Sequence, residues 1–202
     1  MAVVGTGSFA AVVVAFLWFI GATGGNFREV VPGQFYRSAQ LTGRNLEGAI
    51  EAGHVKSVIN LRGGVPGEEL HDSEVALCSR LGVQHVDIQH FTAHHLPPPA
   101  DLKQLLDALD KMPRPILVHC HGGSDRYGLV SALYLNVYRS VPLDEAVSRE
   151  LTWRFGHFGF TSSGAMDHFF ELYRKTGNGL SLRDWIVRKY PTIYAQDPAR
   201  LE

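Results

Sequence analysis

The chain has 202 residues, a formal net charge of −1, and 45% hydrophobic against 19% charged residues, which suits one domain with a full core and leaves little room for a second. The balanced charge carries no electrostatic footprint for nucleic acid and excludes an acidic-tail or disordered protein. Two cysteines, Cys78 and Cys120, are too few for a disulfide framework, and no Cys/His spacing fits a structural zinc site, so neither metal nor cofactor is expected.

Residues 2–27 carry no charge, and within them Phe9–Ala22 (FAAVVVAFLWFIGA) is almost wholly apolar. A bilayer-spanning helix needs roughly 20 predominantly apolar residues, and the uncharged stretch 2–27, with this run at its core, is long enough. Residues 1–27 are therefore expected to form a single-pass membrane anchor, with residues 28–202 as the body. A cleaved signal peptide is the first alternative, but no basic residue precedes the run and Ala22-Thr23-Gly24 makes a weak cleavage site. A buried helix is the second. Arg28, Arg37 and Arg44 beyond it favour a cytoplasmic body only slightly, with Glu29 among them.

The remainder alternates strands and helices. Ser57–Leu61 is a β-branched run ending at Arg62-Gly63-Gly64. A helix is predicted over Glu68–Leu81, with Leu70, Val75, Leu77 and Leu81 at helical spacing and Gly82 as its stop. Val83–Ile88 is a second strand. Leu96 and three prolines lead into an amphipathic helix over Asp101–Lys111, carrying Leu102, Leu105, Leu106 and Leu109, with Asp101 as its expected cap. Pro115–His119 is apolar on both faces, as a central parallel strand is. Leu129–Val137 continues as an apolar helix, Pro142-Leu143 opens another near Asp144, and Met166–Arg174 and Ser181–Lys189 are helical. This alternation predicts an α/β domain with a central, mostly parallel sheet and helices on both faces.

The chemistry concentrates after the third strand, in His119-Cys120-His121-Gly122-Gly123-Ser124-Asp125-Arg126-Tyr127. A strand ends, a glycine loop turns and a helix begins, so backbone N–H groups converge on an anion site at a helix N-terminus. Such dipoles also favour a thiolate at the loop's first position. Six residues on, Arg126 offers a planar fork that grips two phosphate oxygens. With Cys120 as floor, residues 121–125 as rim and Arg126 closing the ring, the expected reaction is attack of sulfur on phosphorus, then hydrolysis of a phosphocysteine. The bland alternative for Cys120 is a buried structural thiol; Cys78, on an amphipathic helix, is expected to be core.

Residues 119–126 match His-Cys-x5-Arg, and the chain thereby resembles the cysteine-based protein tyrosine and dual-specificity phosphatases. With Phe35-Tyr36-Arg37-Ser38-Ala39-Gln40, Val58-Ile59-Asn60-Leu61-Arg62 and Gly156-His157-Phe158, the likeness extends over about residues 26–190 to bacterial membrane-anchored dual-specificity-like phosphatases. The resemblance implies a dual-specificity phosphatase-like fold and a phosphorylated protein or lipid substrate. It also implies a body facing the periplasm, although the basic stretch that usually precedes the anchor in that group is absent here. Catalysis would rest on Cys120, Arg126 and Asp125, the phosphate on His121, Gly122, Gly123, Ser124, Asp125 and Arg126, with His119 supporting the cysteine.

The acid that protonates the leaving oxygen is less direct. The family usually supplies an Asp about thirty residues before the cysteine, but Gln89–Pro97 contains none. Cys-x-x-Gly-x-Asp-Arg, a form shared with myotubularin-like and some bacterial lipid-and-tyrosine phosphatases, gives the role to Asp125; a positioning role for Asp125, with His94 or His95 as acid, is the alternative. Ser124 stands where the bacterial lipid-and-tyrosine enzymes carry Lys, which weakens a phosphoinositide reading. Tyr127 stands where a Ser or Thr usually assists the departing thiolate, so a weak pseudophosphatase or adaptor is the second function hypothesis. A rhodanese or arsenate-reductase-like thiol enzyme is the third. Arg37 and Arg62 fall at strand ends and are expected in surface salt bridges, and His157 in a helix-end structural element. The aromatic stretch Phe155–Phe160 is expected in the core.

Overall fold

The structure, a computed structural model, describes residues 25–122, 124–158, 164–198 and 200. Its elements are β1 (Arg28–Val31), β2 (Phe35–Ser38), α1 (Gly43–Ala52), β3 (Ser57–Asn60), α2 (Glu69–Arg80), β4 (Gln84–Asp87), α3 (Pro99–Lys111), β5 (Ile116–His119), α4 (Asp125–Arg139), α5 (Leu143–Glu150), a 3-10 turn (Trp153–Phe155), α6 (Ala165–Thr176), α7 (Leu182–Arg188) and α8 (Tyr190–Tyr194). The strands form one sheet in the order β1-β2-β5-β3-β4, parallel except for the edge pair β1–β2. This is the expected α/β architecture. The edge strand β1 and helix α1 are additions to the predicted elements; α1 does carry Leu46, Ala49 and Ile50 at helical spacing. Among the described residues no helix is long and apolar enough to cross a membrane. The expected anchor run Phe9–Ala22 lies outside them.

The strands are four residues long, so each side chain's face follows from simple alternation. Ile116 and Val118 of β5 and Ile59 of β3 join the larger core beneath α3, α4, α6 and α7. Leu117 and Val58 point the other way, into a smaller core with Leu46 and Ile50 of α1 and Leu77 and Cys78 of α2. All four residues of β5 are buried, as its doubly apolar sequence requires. Parallel strands bring their carboxyl ends to one edge of the sheet, and Ser38, Asn60 and Asp87 register with His119 there.

Asp101 is not the cap of α3. The helix begins at Pro99, whose missing N–H and fixed φ suit a first position. Asp101 is buried in the first turn and accepts a hydrogen bond from His90 N at 2.7 Å, anchoring the loop after β4.

Two glycines bring the post-α5 segment onto the sheet's carboxyl edge. A Cβ on Gly128 of α4 would lie 2.8 Å from Leu151 Cδ2 and 3.0 Å from Glu150 O, so only glycine lets the end of α5 approach this closely. Gly156, at φ +84°, turns the chain back after the 3-10 turn in a left-handed conformation that favours glycine.

Candidate active site

Cys120 follows the last residue of β5 and is 2% exposed. The loop rises through exposed His121 and Gly122 to Ser124, and α4 starts at Asp125 with Arg126 in its first turn. Gly123 lies outside the described residues. His121 O accepts from Gln40 N at 3.2 Å, which ties the loop to the segment after β2. The 15-residue α4 begins at the far end of the loop that Cys120 opens, so its first N–H groups and the positive end of its dipole lie at that end. That end favours an anion.

Arg126 donates through Nη1 to Leu61 O at 3.0 Å and Phe91 O at 3.2 Å. Those carbonyls belong to the loops after β3 and β4. Holding one nitrogen fixes the plane of the guanidinium and the direction of its remaining donors. The same contact brings Phe91 to the site, with exposed His94 and half-buried His95 farther along the loop. Arg62 is exposed and donates to Gln40 Oε1 at 3.1 Å, a neutral partner rather than the expected ion pair.

Beneath the cysteine lies a polar network. Glu74 of α2, itself buried, accepts at Oε1 from His119 Nε2 (2.8 Å) and His85 Nε2 (2.9 Å), and at Oε2 from Gln40 Nε2 (2.5 Å). Burial alone would raise the Glu74 pKa, but the hydrogen bonds from His119 and His85 outweigh it and hold it at about 2. His119 is thus clamped immediately before Cys120. Cys78, one turn after Glu74 on α2, is core: burial pushes its thiol up to about 12.

Arg37 is not at the surface. It is fully buried, ion-paired to Glu150 at the end of α5, and its guanidinium carbon sits 3.6 Å from the centroid of the Tyr127 ring and 4.6 Å from that of Phe155. Arg28 reaches the same Glu150 carboxylate at 2.7 Å. Tyr127 is completely buried and its phenol has no well-aligned hydrogen-bond partner among the described residues. Its bulk packs beneath Arg37.

Asp125 has a partner that sequence reasoning missed. His157 Nδ1 lies 2.7 Å from Asp125 Oδ1, and His157 Nε2 lies 2.8 Å from Asp167 Oδ2 near the start of α6. The other Asp125 oxygen accepts from Ser124 Oγ at 3.2 Å. His157 is therefore a buried member of the site, not a helix-end prop; of the aromatic stretch expected in the core, Phe158 is exposed and Phe155 half-buried, and Phe160 lies outside the described residues. Only the turn at Gly156, which no periodicity signals, places it there. Among the described residues no group of three or more His, Cys, Asp or Glu is placed to hold a metal ion.

The fold has solved counterparts. The core catalytic domain of the PP-IP phosphatase SIW14 from S. cerevisiae is 20% identical, covering 78% of this chain and 94% of its own, with a TM-score of 0.54. PTPMT1 in complex with PI(5)P is 12% identical, covering 75% and 98%, with a TM-score of 0.55. TpbA of P. aeruginosa is 21% identical, covering 72% and 91%, with a TM-score of 0.50. At these identities the likeness establishes the shared fold. None of the curated proteins is a match in sequence. The sequence profile of the tyrosine phosphatase family matches residues 20–144, more than half of the chain and all of the Cys120–Arg126 loop. By that match and by the strand–loop–helix unit that carries the loop, the chain belongs to the tyrosine phosphatase family of cysteine-based phosphatases.

Proposed function

We propose that the protein hydrolyses phosphomonoesters through a phosphocysteine on Cys120. The observation that carries this reading is the placement of Cys120 and Arg126 at the two ends of one loop, between a buried strand and a helix N-terminus. A substrate phosphate bound by the loop amides and Arg126 lies in line with sulfur. Attack of the Cys120 thiolate forms the S–P bond and breaks the P–O bond to the leaving group, whose oxygen takes a proton from Asp125. Water then attacks phosphorus, the S–P bond breaks, and Asp125 accepts the proton that water releases. The substrate is a phosphorylated protein or lipid, and the apolar run Phe9–Ala22 supports a membrane tether for the domain.

The test is turnover of p-nitrophenyl phosphate by the full chain without added metal and with chelator. The expected result is chelator-resistant turnover that Cys120→Ser abolishes and that Arg126→Ala reduces at least 100-fold. Phosphate or vanadate binding without turnover would overturn it and leave the second reading, a phosphate-binding pseudophosphatase. That reading is favoured by one observation: Tyr127 packs under Arg37 where a small hydroxyl residue would assist the thiolate's departure.

A further inference from the structure

The proposed reaction needs Asp125 to carry a proton when the leaving oxygen departs, yet Asp125 sits against a second acid–base group. His157 bridges two carboxylates, Asp125 on α4 and Asp167 on α6, at 2.7 and 2.8 Å. These are the charged groups that face the ring among the described residues; Arg154, on the turn before it, is exposed. The ring is almost wholly buried, while Asp125 and Asp167 keep side-chain exposures of 17% and 36%. Burial disfavours the imidazolium, but hydrogen bonds to Asp125 and then Asp167 outweigh it and raise the His157 pKa to about 9. One carboxylate would be enough to fix the ring. The second, on Nε2, has a separate effect: it fixes one proton on that nitrogen and leaves Nδ1 as the nitrogen whose proton can move.

We propose that His157 is a positioning residue and proton relay for Asp125, with Asp167 holding its far side. The proposal rests on the phosphocysteine reading and names how its acid is loaded. The proton on His157 Nδ1 moves to Asp125 Oδ1, which leaves a neutral imidazole and a neutral carboxylic acid. Rotation about the broad, two-fold carboxyl torsion turns the protonated oxygen toward the loop. As the P–O bond breaks, its electron pair stays on the leaving oxygen, which takes that proton. In the second step the attacking water gives a proton to Asp125 while sulfur regains the S–P pair, and the proton returns to His157 Nδ1. Atoms and charge balance over the cycle, and the site ends as it began.

The experiment compares kcat/KM between pH 5 and 10 for phenyl phosphate, a poor leaving group that needs the acid, and p-nitrophenyl phosphate, which needs it less. Full-chain wild type, His157→Asn and Asp167→Asn are measured. In His157→Asn the side-chain amide keeps a donor to Asp125 but stores no proton. The expected result is a loss on phenyl phosphate at least ten-fold larger than on p-nitrophenyl phosphate in His157→Asn, and a basic limb that moves down by about one pH unit in Asp167→Asn. Equal losses on both substrates with an unmoved basic limb would mean that His157 is only a strut, and would overturn the proposal. Should His157→Asn fail to fold, the Asp167→Asn limb decides alone. Failure of the underlying reading looks different: Cys120→Ser would then retain turnover, or wild type would have none.

Discussion

The guanidinium of Arg37 lies over the ring of Tyr127, its central carbon 3.6 Å from the ring centroid, with both residues wholly excluded from water. Tyr127 therefore acts through its ring, as the lower face of a buried cation's site. Tyr127→Phe keeps that face and removes a phenol with no well-aligned partner, so stability in urea should change by less than about 1 kcal/mol. Tyr127→Ser restores the small hydroxyl usual at this place, but opens a cavity and uncovers Arg37, and should cost about 3–5 kcal/mol. A Ser variant as stable as wild type would refute this account.

Glu150 neutralises Arg37 from the end of α5 and also reaches Arg28. Removing one partner of a buried pair leaves an uncompensated charge, typically at a cost of about 3–5 kcal/mol. Glu150→Ala should fall in that range by chemical denaturation, whereas Glu145→Ala, an exposed member of an i,i+4 pair with Arg149, should change stability by less than about 0.5 kcal/mol.

The Glu74 network sets a pH dependence. Its folded pKa, about 2, lies below the ordinary carboxylate value of 4.5, so its stabilisation is fully present above 4.5 and is lost as pH falls toward 2. His157 works in the opposite direction: its pKa is raised from 6.5 to about 9, so its contribution is complete below 6.5 and is lost as pH rises through 9. Melting temperatures measured from pH 2 to 10 should fall at both ends. Glu74→Gln should flatten the acid side and His157→Asn the alkaline side; curves parallel to wild type would contradict the assignment.

Gly128→Ala is a test of close packing. Alanine gains about 1 kcal/mol of intrinsic helix propensity. Its methyl, however, would meet Leu151 Cδ2 at 2.8 Å and Glu150 O at 3.0 Å. We expect a net loss of about 1–3 kcal/mol, together with lower activity, because α5 and the turn bearing His157 must move away from Asp125. Unchanged activity in the folded variant would show that this turn tolerates displacement.

The central architecture was legible because its signals are local. β5 is apolar on both faces, α3 carries four leucines at helical spacing, and the Cys120–Arg126 loop sits between a strand and a helix as its spacing requires. What escaped depends on distant partners. Arg37 reads as a surface arginine until Glu150, 113 residues away, and Tyr127 close around it. Asp101 fits a cap by residue type, but Pro99 starts the helix and Asp101 serves His90 instead. His157 joins the site through one left-handed glycine, and a single sequence does not mark which glycines turn that way. β1 is four residues long and too short to carry a pattern of its own, whereas α1 buries Leu46, Ala49 and Ile50 at helical spacing, a signal that sequence reasoning passed over.

The residues matched by the family profile end at 144, before Glu150, Gly156 and His157. A fragment cut at that boundary would keep the whole Cys120–Arg126 loop and still strand Arg37 in an apolar interior without its counter-charge. The stretch matched by the profile is thus not a separable module. The segment beyond it supplies the counter-charge of Arg37 and the partner of Asp125, and shortened versions meant to isolate the reactive loop should retain residues through at least α6.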